Sequence, residues 1–418
     1  MFTYISLKNF KSFDSIYFDL KKNQKQAKSL VALYGENGSG KSNLVSAFSL
    51  LNFSFGFLKD MDEETTSSFQ RHLKASRMIG NEDNTEVEYG FLINGIEGYY
   101  KLVFKDSLVS EELYYVLKSK RGVLYKISRD KETLDKRIHT SVFLNDELSH
   151  ELSNKLDEYW GEYSFLGILI NMISNMTKAL VDESISTSLI EVLYFFSQVH
   201  VVSESTTSKN TINPLVDSLD KNKLDISNLE KGLIPIEKED ILKSYEETIN
   251  YYFSSIYSDI RQAFYKTQIQ DNEISYELCF KKMIGRRIRE IPYSLEASGV
   301  KRMLLFIRSI LLALEGKIVI FDGMDRDIHE IQIREIMNSL DDNIKGQLII
   351  TAHNTILLEN LSPSSIYVIY IDAQGNKEIR CLNDYDYRIR ANNNVRDLYL
   401  NGLFGGIPYL SYLHFSNN

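Results

Sequence analysis

The segment that most constrains this chain is Gly-Glu-Asn-Gly-Ser-Gly-Lys-Ser, at residues 35–42. An apolar run at 29–34 precedes it and a run with helical character at 43–48 follows, so it lies between a predicted strand and a predicted helix. Glycines allow backbone N–H groups to surround phosphate oxygens, and a helix N-terminus adds positive potential. The pattern predicts a loop that binds ATP or GTP through Gly35, Asn37, Gly38, Ser39, Gly40, Lys41, Ser42 and Asn43.

Two residues of the loop itself and one aspartate downstream complete the chemistry that ATP binding needs. We expect Lys41 to reach the β- and γ-phosphates of ATP and Ser42 to ligate Mg²⁺. A second apolar strand, at residues 317–321, ends in Asp322. A carboxylate at that point can hold the water shell of the same Mg²⁺, so ATP and Mg²⁺ are the predicted cofactors.

Three further candidates have both a structural and a functional interpretation. Ser298 and Gly299 open a predicted helix, where they could contact a phosphate or serve only as a common N-terminal cap. His353 follows the apolar strand 347–351, where it could approach the γ-phosphate or be a surface residue. Asp325, in an acidic loop after Asp322, could contact a second copy, stand in as a catalytic carboxylate, or simply begin a solvated helix.

The composition narrows the class of protein. The hydrophobic fraction of 43% and charged fraction of 25% are ordinary for a globular protein, and the net charge of −9 gives no global attraction for nucleic acid. Two cysteines suit a reducing compartment, and no apolar run is long enough to span a membrane. We therefore expect a cytoplasmic protein without a membrane partner. A basic patch at 281–289 leaves DNA as a possible partner, although solvated cations on a hairpin explain it equally simply.

Periodicity predicts the fold class and its division. Alternating apolar residues in the first 135 positions, with an Asn94-Gly95 turn, predict an antiparallel lobe beside the loop. Residues 146–257 read as mainly helical, and from about 300 onward strands alternate with helices, as in a parallel sheet covered by helices. The prediction is an α/β protein, with a mixed-sheet head built from 1–135 and 258–418 and a mainly helical insertion at 136–257.

The order of these motifs resembles that of the RecF/SMC/OLD-type ABC ATPases. The resemblance rests on residues 5–13, 35–42, 296–302, 317–329 and 347–357. It implies a head-to-head dimer in which Ser298 and Gly299 of one copy complete the ATP site of the other, with Asp322 on Mg²⁺ and His353 as a switch. The tail at 395–408 is similar to small stand-alone AAA family ATPases of bacterial anti-phage systems such as PARIS and Septu, or of abortive-infection loci. That likeness implies a sensor or scaffold controlling a separate effector protein.

One position departs from the family pattern. The Mg²⁺ aspartate is normally followed by a glutamate that polarises the attacking water, but Gly323 follows Asp322 here. Loss of such a group typically slows a reaction by about 10²–10⁴-fold, so we expect slow hydrolysis, with Asp325 the first candidate substitute. The alternatives are a DNA-clamping ATPase of the RecF/SMC kind and a non-hydrolysing subunit that needs ATP only to assemble.

Overall fold

The computed structural model describes residues 1–55, 68–118, 120–130, 133–174, 176–203, 229–270, 272–340, 343–387, 389–390 and 393–408. The first strands are β1 (Phe2–Phe10), β2 (Phe13–Asp19), β3 (Lys21–Asn23), β4 (Gln26–Ala27), β5 (Leu30–Gly35), β6 (Thr85–Ile93), β7 (Ile96–Phe104), β8 (Leu108–Leu117), β9 (Lys120–Asp130) and β10 (Thr133–Ile138). The later strands are β11 (Val199–Val202), β12 (Lys231–Pro235), β13 (Ile260–Gln270), β14 (Glu273–Ile284), β15 (Arg287–Pro292), β16 (Ile318–Phe321), β17 (Gln347–Thr351), β18 (Ile366–Ile371) and β19 (Lys377–Cys381). The α-helices are α1 (Lys41–Ser54), α2 (Ser68–Ser76), α3 (Asp146–Tyr159), α4 (Phe165–Ile173), α5 (Lys178–Ser184), α6 (Thr187–Ser197), α7 (Glu239–Ile256), α8 (Ser298–Leu314), α9 (Glu330–Asn338) and α10 (Val395–Leu400).

A six-stranded sheet in the order β11-β16-β17-β5-β18-β19 forms the centre of the head. Its first five strands are parallel, and β19 pairs antiparallel with β18. Both faces are covered. Val31 and Leu33 of β5 share a core with α1, whereas Ala32 shares a second core with α8. The continuous apolar character of β5, β16 and β17 follows from this burial on both faces.

A seven-stranded antiparallel sheet, in the order β10-β9-β8-β7-β6-β1-β2, forms the lobe beside the head. Ile93 of β6 pairs with Ile96 of β7, so the connecting loop is only Asn94 and Gly95, both with positive φ. That geometry belongs to a tight turn of the type that Asn-Gly favours, and it confirms the predicted hairpin.

The helical middle of the chain packs on this lobe. Helices α3 to α6 begin after residues whose side chains accept a hydrogen bond from the first turn, which explains where each helix starts: Asn145, Ser164, Thr177 and Ser186. The helical interpretation is wrong for 199–202 and 231–235, which are strands. A four-residue apolar run such as that of β11 has no periodicity that separates a buried strand from a helix. The division of the chain at 135 and 257 stays a prediction.

Strands β3 and β4 form a small two-stranded sheet, and β12 to β15 form a four-stranded sheet that precedes α8. Strand β14 pairs with β13 along its length, with β12 at its beginning and with β15 at its end. No helix in the described part of the chain is both long and apolar enough to cross a membrane. The polar stretches 59–66 and 203–213 are predicted from the sequence as loops. The first lies outside the described residues, and so does all of the second except Ser203.

Candidate nucleotide-binding site

Three neighbouring parallel strands bring the predicted site residues to one edge of the central sheet. The order is β16-β17-β5, so their carboxyl ends lie together. The glycine-rich loop leaves β5, Asp322 follows β16, and His353 follows β17. Positions separated by about three hundred residues in sequence thus share one edge.

The glycine-rich loop has the features of a phosphate cradle. Helix α1 begins at Lys41 with no acidic residue in its first turn, so its N-terminal potential is uncompensated. Gly40 has φ 110°, and a Cβ there would lie 2.6 Å from Cζ of Phe13. The hydroxyl of Ser39 is buried and has no hydrogen-bond partner among the described residues. Open space beside Gly38 and this orphaned hydroxyl fit an anionic ligand that accepts hydrogen bonds.

Lys41 lies across the loop and is only 5% exposed. Its Nζ donates to the carbonyl oxygens of Gly35 at 2.6 Å and Glu36 at 3.1 Å. Burial lowers the pKa of the Lys41 amine, and the charges of Asp322, Asp325 and Glu36 oppose that shift. The lysine therefore lies within the field of both downstream carboxylates.

Asp322 is fixed by groups on two neighbouring elements. The Thr351 hydroxyl donates to Asp322 Oδ1 at 2.6 Å and accepts from the Gly323 N–H at 2.7 Å. Arg302 of α8 donates to the carbonyl oxygens of Asp322 at 2.5 Å and of Gly323 at 2.6 Å. In the described residues no group of three or more His, Cys, Asp or Glu side chains could hold a metal ion. Ser42, exposed in the first turn of α1, and Asp322 are the side chains that fit the Mg²⁺ of a nucleotide, whose phosphates supply further oxygens.

Gly323 adopts a conformation that a glutamate would occupy only with strain. Its φ is +59°, in the left-handed region, and a Cβ there would lie 2.8 Å from Nε of Arg326. The backbone therefore disfavours any side chain at this position.

Asp325 is the nearest carboxylate to follow. Its Oδ2 accepts from the backbone N–H groups of His353, at 2.6 Å, and Asn354. Its Oδ1 is buried and has no hydrogen-bond partner in the described part of the chain. The His353 side chain is exposed, and its pKa is lowered by partial burial and then by the positive charge of Lys41. Asp325 thus fastens the loop after β17 through one oxygen, while the other has no partner in the described part of the chain.

Ser298 and Gly299 lie at the beginning of α8 and not against the loop of their own chain. Ser298 is exposed, and no hydrogen bond among the described residues joins it to 35–42. A Cβ on Gly299 would lie 2.8 Å from the carbonyl oxygen of Asp327. One turn further on, Arg302 contacts the carbonyl oxygens of Asp322 and Gly323, so α8 links Ser298 to Asp322.

Sequence reasoning missed Lys377, at the beginning of β19. Its Nζ donates to the carbonyl oxygen of Gly38 at 3.1 Å and to the hydroxyl of Ser12 at 2.8 Å. It also helps to line a cavity of about 310 Å³ beside the loop, together with Ser12, Asp14, Ser15, Met78, Gly375 and Asn376. No local pattern marks this lysine, because its partners belong to the first fifth of the chain.

The fold is that of the head of an ABC-type P-loop ATPase. Its defining features are the phosphate loop after β5, the aspartate after β16, two strands away in the sheet, and the antiparallel lobe. The chain belongs to the family whose model is described as "AAA domain, putative AbiEii toxin, Type IV TA system", which matches residues 30–159 and 197–359. The stretch between the two matched segments contains α4, α5 and most of α6. No curated protein matches the chain.

Solved structures similar to this chain include heads of SMC proteins. The SMC head domain from Thermotoga maritima is 16% identical, with 91% of this chain and 98% of that chain covered and a TM-score of 0.37. An SMC head bound to the C-winged helix domain of ScpA is 14% identical, with 91% and 96% covered and a TM-score of 0.48. An SMC head with an extended coiled coil, bound to the C-terminal domain of ScpA derived from Pyrococcus furiosus, is 14% identical, with 91% and 95% covered and a TM-score of 0.43. The family assignment therefore rests on the family model.

Proposed function

We propose that this chain is an ATP-driven switch that hydrolyses ATP slowly and controls a separate effector protein in anti-phage defence. The observation that carries the proposal is that one sheet edge brings together Lys41, Asp322, Asp325 and His353. Burial lowers the pKa of Lys41 there, and the negative charges of both aspartates act against that shift. The toxin–antitoxin wording of the family description supports a role in defence.

ATP binding follows from the cradle. Lys41 exchanges its hydrogen bonds to the Gly35 and Glu36 carbonyls for the β- and γ-phosphates, and the Ser39 hydroxyl gains the partner that it lacks. Ser42 and Asp322 would hold Mg²⁺, which neutralises phosphate charge when bound. Thr351 keeps the Asp322 carboxylate oriented toward that position.

Hydrolysis needs a group that orients water, and Gly323 has no side chain to do so. Asp325 Oδ1 can accept a hydrogen bond from a water, while Oδ2 remains held by two backbone N–H groups. Because Asp325 serves structure and water at once, we infer a turnover slower than that of enzymes with a dedicated glutamate.

Dimerisation follows from the exposed beginning of α8. A 17-residue helix begins at the exposed Ser298, and its N-terminal potential suits the γ-phosphate held by a second copy. ATP would then favour the closed dimer, because only the triphosphate supplies that contact.

Light scattering of the purified chain with ATP, with ADP and without nucleotide tests this step. We expect a dimer with ATP alone, lost in Ser298→Arg while ATP binding persists. Ser255→Arg, an exposed serine on α7, is the matched control and should dimerise normally. A monomer under all conditions, or equal loss in the control, contradicts the dimer.

The defence role is tested by phage plating on cells that carry this gene with its neighbours. Protection that disappears with Lys41→Ala supports an ATP-dependent switch. Protection that survives Lys41→Ala contradicts it and favours the alternative that Gly323 suggests, a structural subunit indifferent to nucleotide.

A further inference from the structure

We propose that the β14–β15 hairpin is a binding site for duplex DNA. The hairpin extends beyond the sheet that carries it. Lys282 is the last residue of β14 with a partner on β13, yet β14 and β15 continue to pair through Met283 with Ile288 and Ile284 with Arg287. Every residue from 283 to 290 is exposed.

The tip of this ribbon is basic. Arg286, Arg287 and Arg289 lie within four positions, and Glu290 is the acidic residue beside them. Within the described residues no hydrogen bond or ion pair engages these three guanidinium groups. In a chain whose net charge is −9, three unpaired arginines on a protruding ribbon indicate a polyanionic partner.

The two faces of the ribbon carry different chemistry. Alternation along the strands places Ile284, Arg287 and Arg289 on one face, and Met283 and Ile288 on the other. Ile288 is 58% exposed and Ile284 is 42% exposed, and neither has a core to join. Arginines that contact phosphates or guanine edges, combined with apolar side chains that contact thymine methyl groups or base steps, suit DNA more closely than a purely ionic surface does.

The shape of the ribbon also fits. A two-stranded ribbon enters the major groove, which is about 12 Å wide. Gly285 and Arg286 form the connecting turn, with φ of 58° and 67°. Such turns favour Gly, Asn or Asp at both positions, so an arginine there places a charge at the very tip at a conformational cost.

The base of the hairpin is fastened to the predicted signature segment. Lys282 Nζ lies 3.1 Å from Glu296 and 3.2 Å from Asp259, and the Tyr257 hydroxyl donates to the Gly299 carbonyl oxygen at 3.3 Å. A ligand that displaces the hairpin would therefore also displace the segment that begins α8, through these contacts. DNA binding does not depend on the proposed ATP cycle. Bound DNA would, however, influence the ATP-dependent dimerisation that this segment is proposed to mediate.

Fluorescence anisotropy with a labelled DNA duplex of about three helical turns, titrated with the full-length chain at several salt concentrations, tests the proposal. We expect the triple variant Arg286→Glu, Arg287→Glu and Arg289→Glu to weaken binding by at least about tenfold and to lower the salt slope by up to about 3. The matched control reverses three exposed lysines elsewhere, Lys22, Lys25 and Lys178, for the same change in net charge. It should bind DNA nearly as well as the wild type.

A second variant tests the contribution of the exposed apolar side chains of the hairpin. Replacing Ile284 and Ile288 by serine should weaken DNA binding without changing the salt slope, since no charge is removed. Unchanged circular dichroism would show that each variant is folded. Failure of the wild type to bind, equal weakening in the lysine control, or hairpin-dependent binding to phosphatidylserine vesicles in place of DNA would overturn the proposal.

Discussion

Two carboxylates in this molecule, Glu111 and the half-buried Asp325, have opposite hydrogen-bond environments. Glu111 of β8 is fully buried, and four donors surround it. The Tyr100 and Tyr125 hydroxyls donate to Oε1, each at 2.9 Å, and the Trp160 indole N–H and Phe165 backbone N–H donate to Oε2 at 2.9 and 2.7 Å. Asp325 has both of its donors on Oδ2, and its buried Oδ1 has no hydrogen-bond partner among the described residues.

The difference fits a structural role for Glu111 and the water-orienting role proposed for Asp325. A buried polar atom without a partner is destabilising, so each one calls for an explanation. Glu111 has no capacity left for a ligand, and its donors come from the lobe sheet and the helices on it. Asp325 follows the end of β16 by four residues, and its charge acts on Lys41.

The largest expected effect is on stability, from Glu111→Leu. Leucine leaves the Trp160 and Phe165 N–H groups buried without acceptors, each at a cost of about 1–3 kcal/mol. We expect the free energy of unfolding in urea to fall by about 3–5 kcal/mol. A loss below about 1 kcal/mol would show that this carboxylate does not hold the helices to the sheet.

The next effect is on nucleotide affinity, from Lys41→Ala. Removing the cation that reaches two phosphates should weaken ATP binding by about 100-fold, close to 3 kcal/mol, in isothermal titration calorimetry. Lys22→Ala, an exposed lysine remote from the loop, is the control. Wild-type affinity in Lys41→Ala would remove the basis for placing ATP at this edge.

A smaller effect is expected at Lys377, the residue that sequence reasoning missed. Lys377→Gln removes a cation that holds the outside of the loop at Gly38 and Ser12, and ATP affinity should fall by about threefold to tenfold. Lys377→Arg retains the charge and should recover most of the affinity. Equal affinities in all three proteins would make this lysine merely a surface cation.

The smallest effect separates charge from hydrogen bonding at Glu111. In Glu111→Gln the amide oxygen can accept from Trp160 and Phe165, and the tyrosine hydroxyls can turn to accept from its NH₂ group. Near neutral pH we expect a change in stability below about 1 kcal/mol.

The same pair of proteins has a pH signature. Burial raises the pKa of the Glu111 carboxyl, so the folded state holds its proton to higher pH than the unfolded state does. The stability that this proton contributes is fully present below the unfolded pKa and is lost as pH rises through the folded pKa. The wild type should therefore gain stability relative to Glu111→Gln when urea unfolding is repeated at about pH 5 instead of pH 8. A pH-independent difference would contradict the raised pKa.

The sequence predicts the features that depend on local pattern. The glycine-rich loop, the Asn94-Gly95 hairpin and the apolar strand before Asp322 each carry their signal within a few residues. Glu111 does not, because Glu112 beside it looks identical and the Trp160 partner lies 49 positions away. Lys377 could not be predicted for the same reason, because the fold brings its partners from the first part of the chain. The positive φ of Gly323 could not be predicted either, because the surrounding fold determines it.

Asp325 is the residue on which the proposed hydrolysis depends most directly, and ATP turnover by the purified chain tests its role. Asp325→Asn keeps an oxygen for the His353 and Asn354 N–H groups but removes the charge. The matched control is Asp327→Asn, at an exposed aspartate two positions further along the chain. We expect slow turnover by the wild type and the control, and a loss of at least about 10²-fold in Asp325→Asn with ATP affinity largely retained. Wild-type turnover by Asp325→Asn, or none by the wild type, would contradict the assignment of Asp325 as the carboxylate that replaces the missing glutamate.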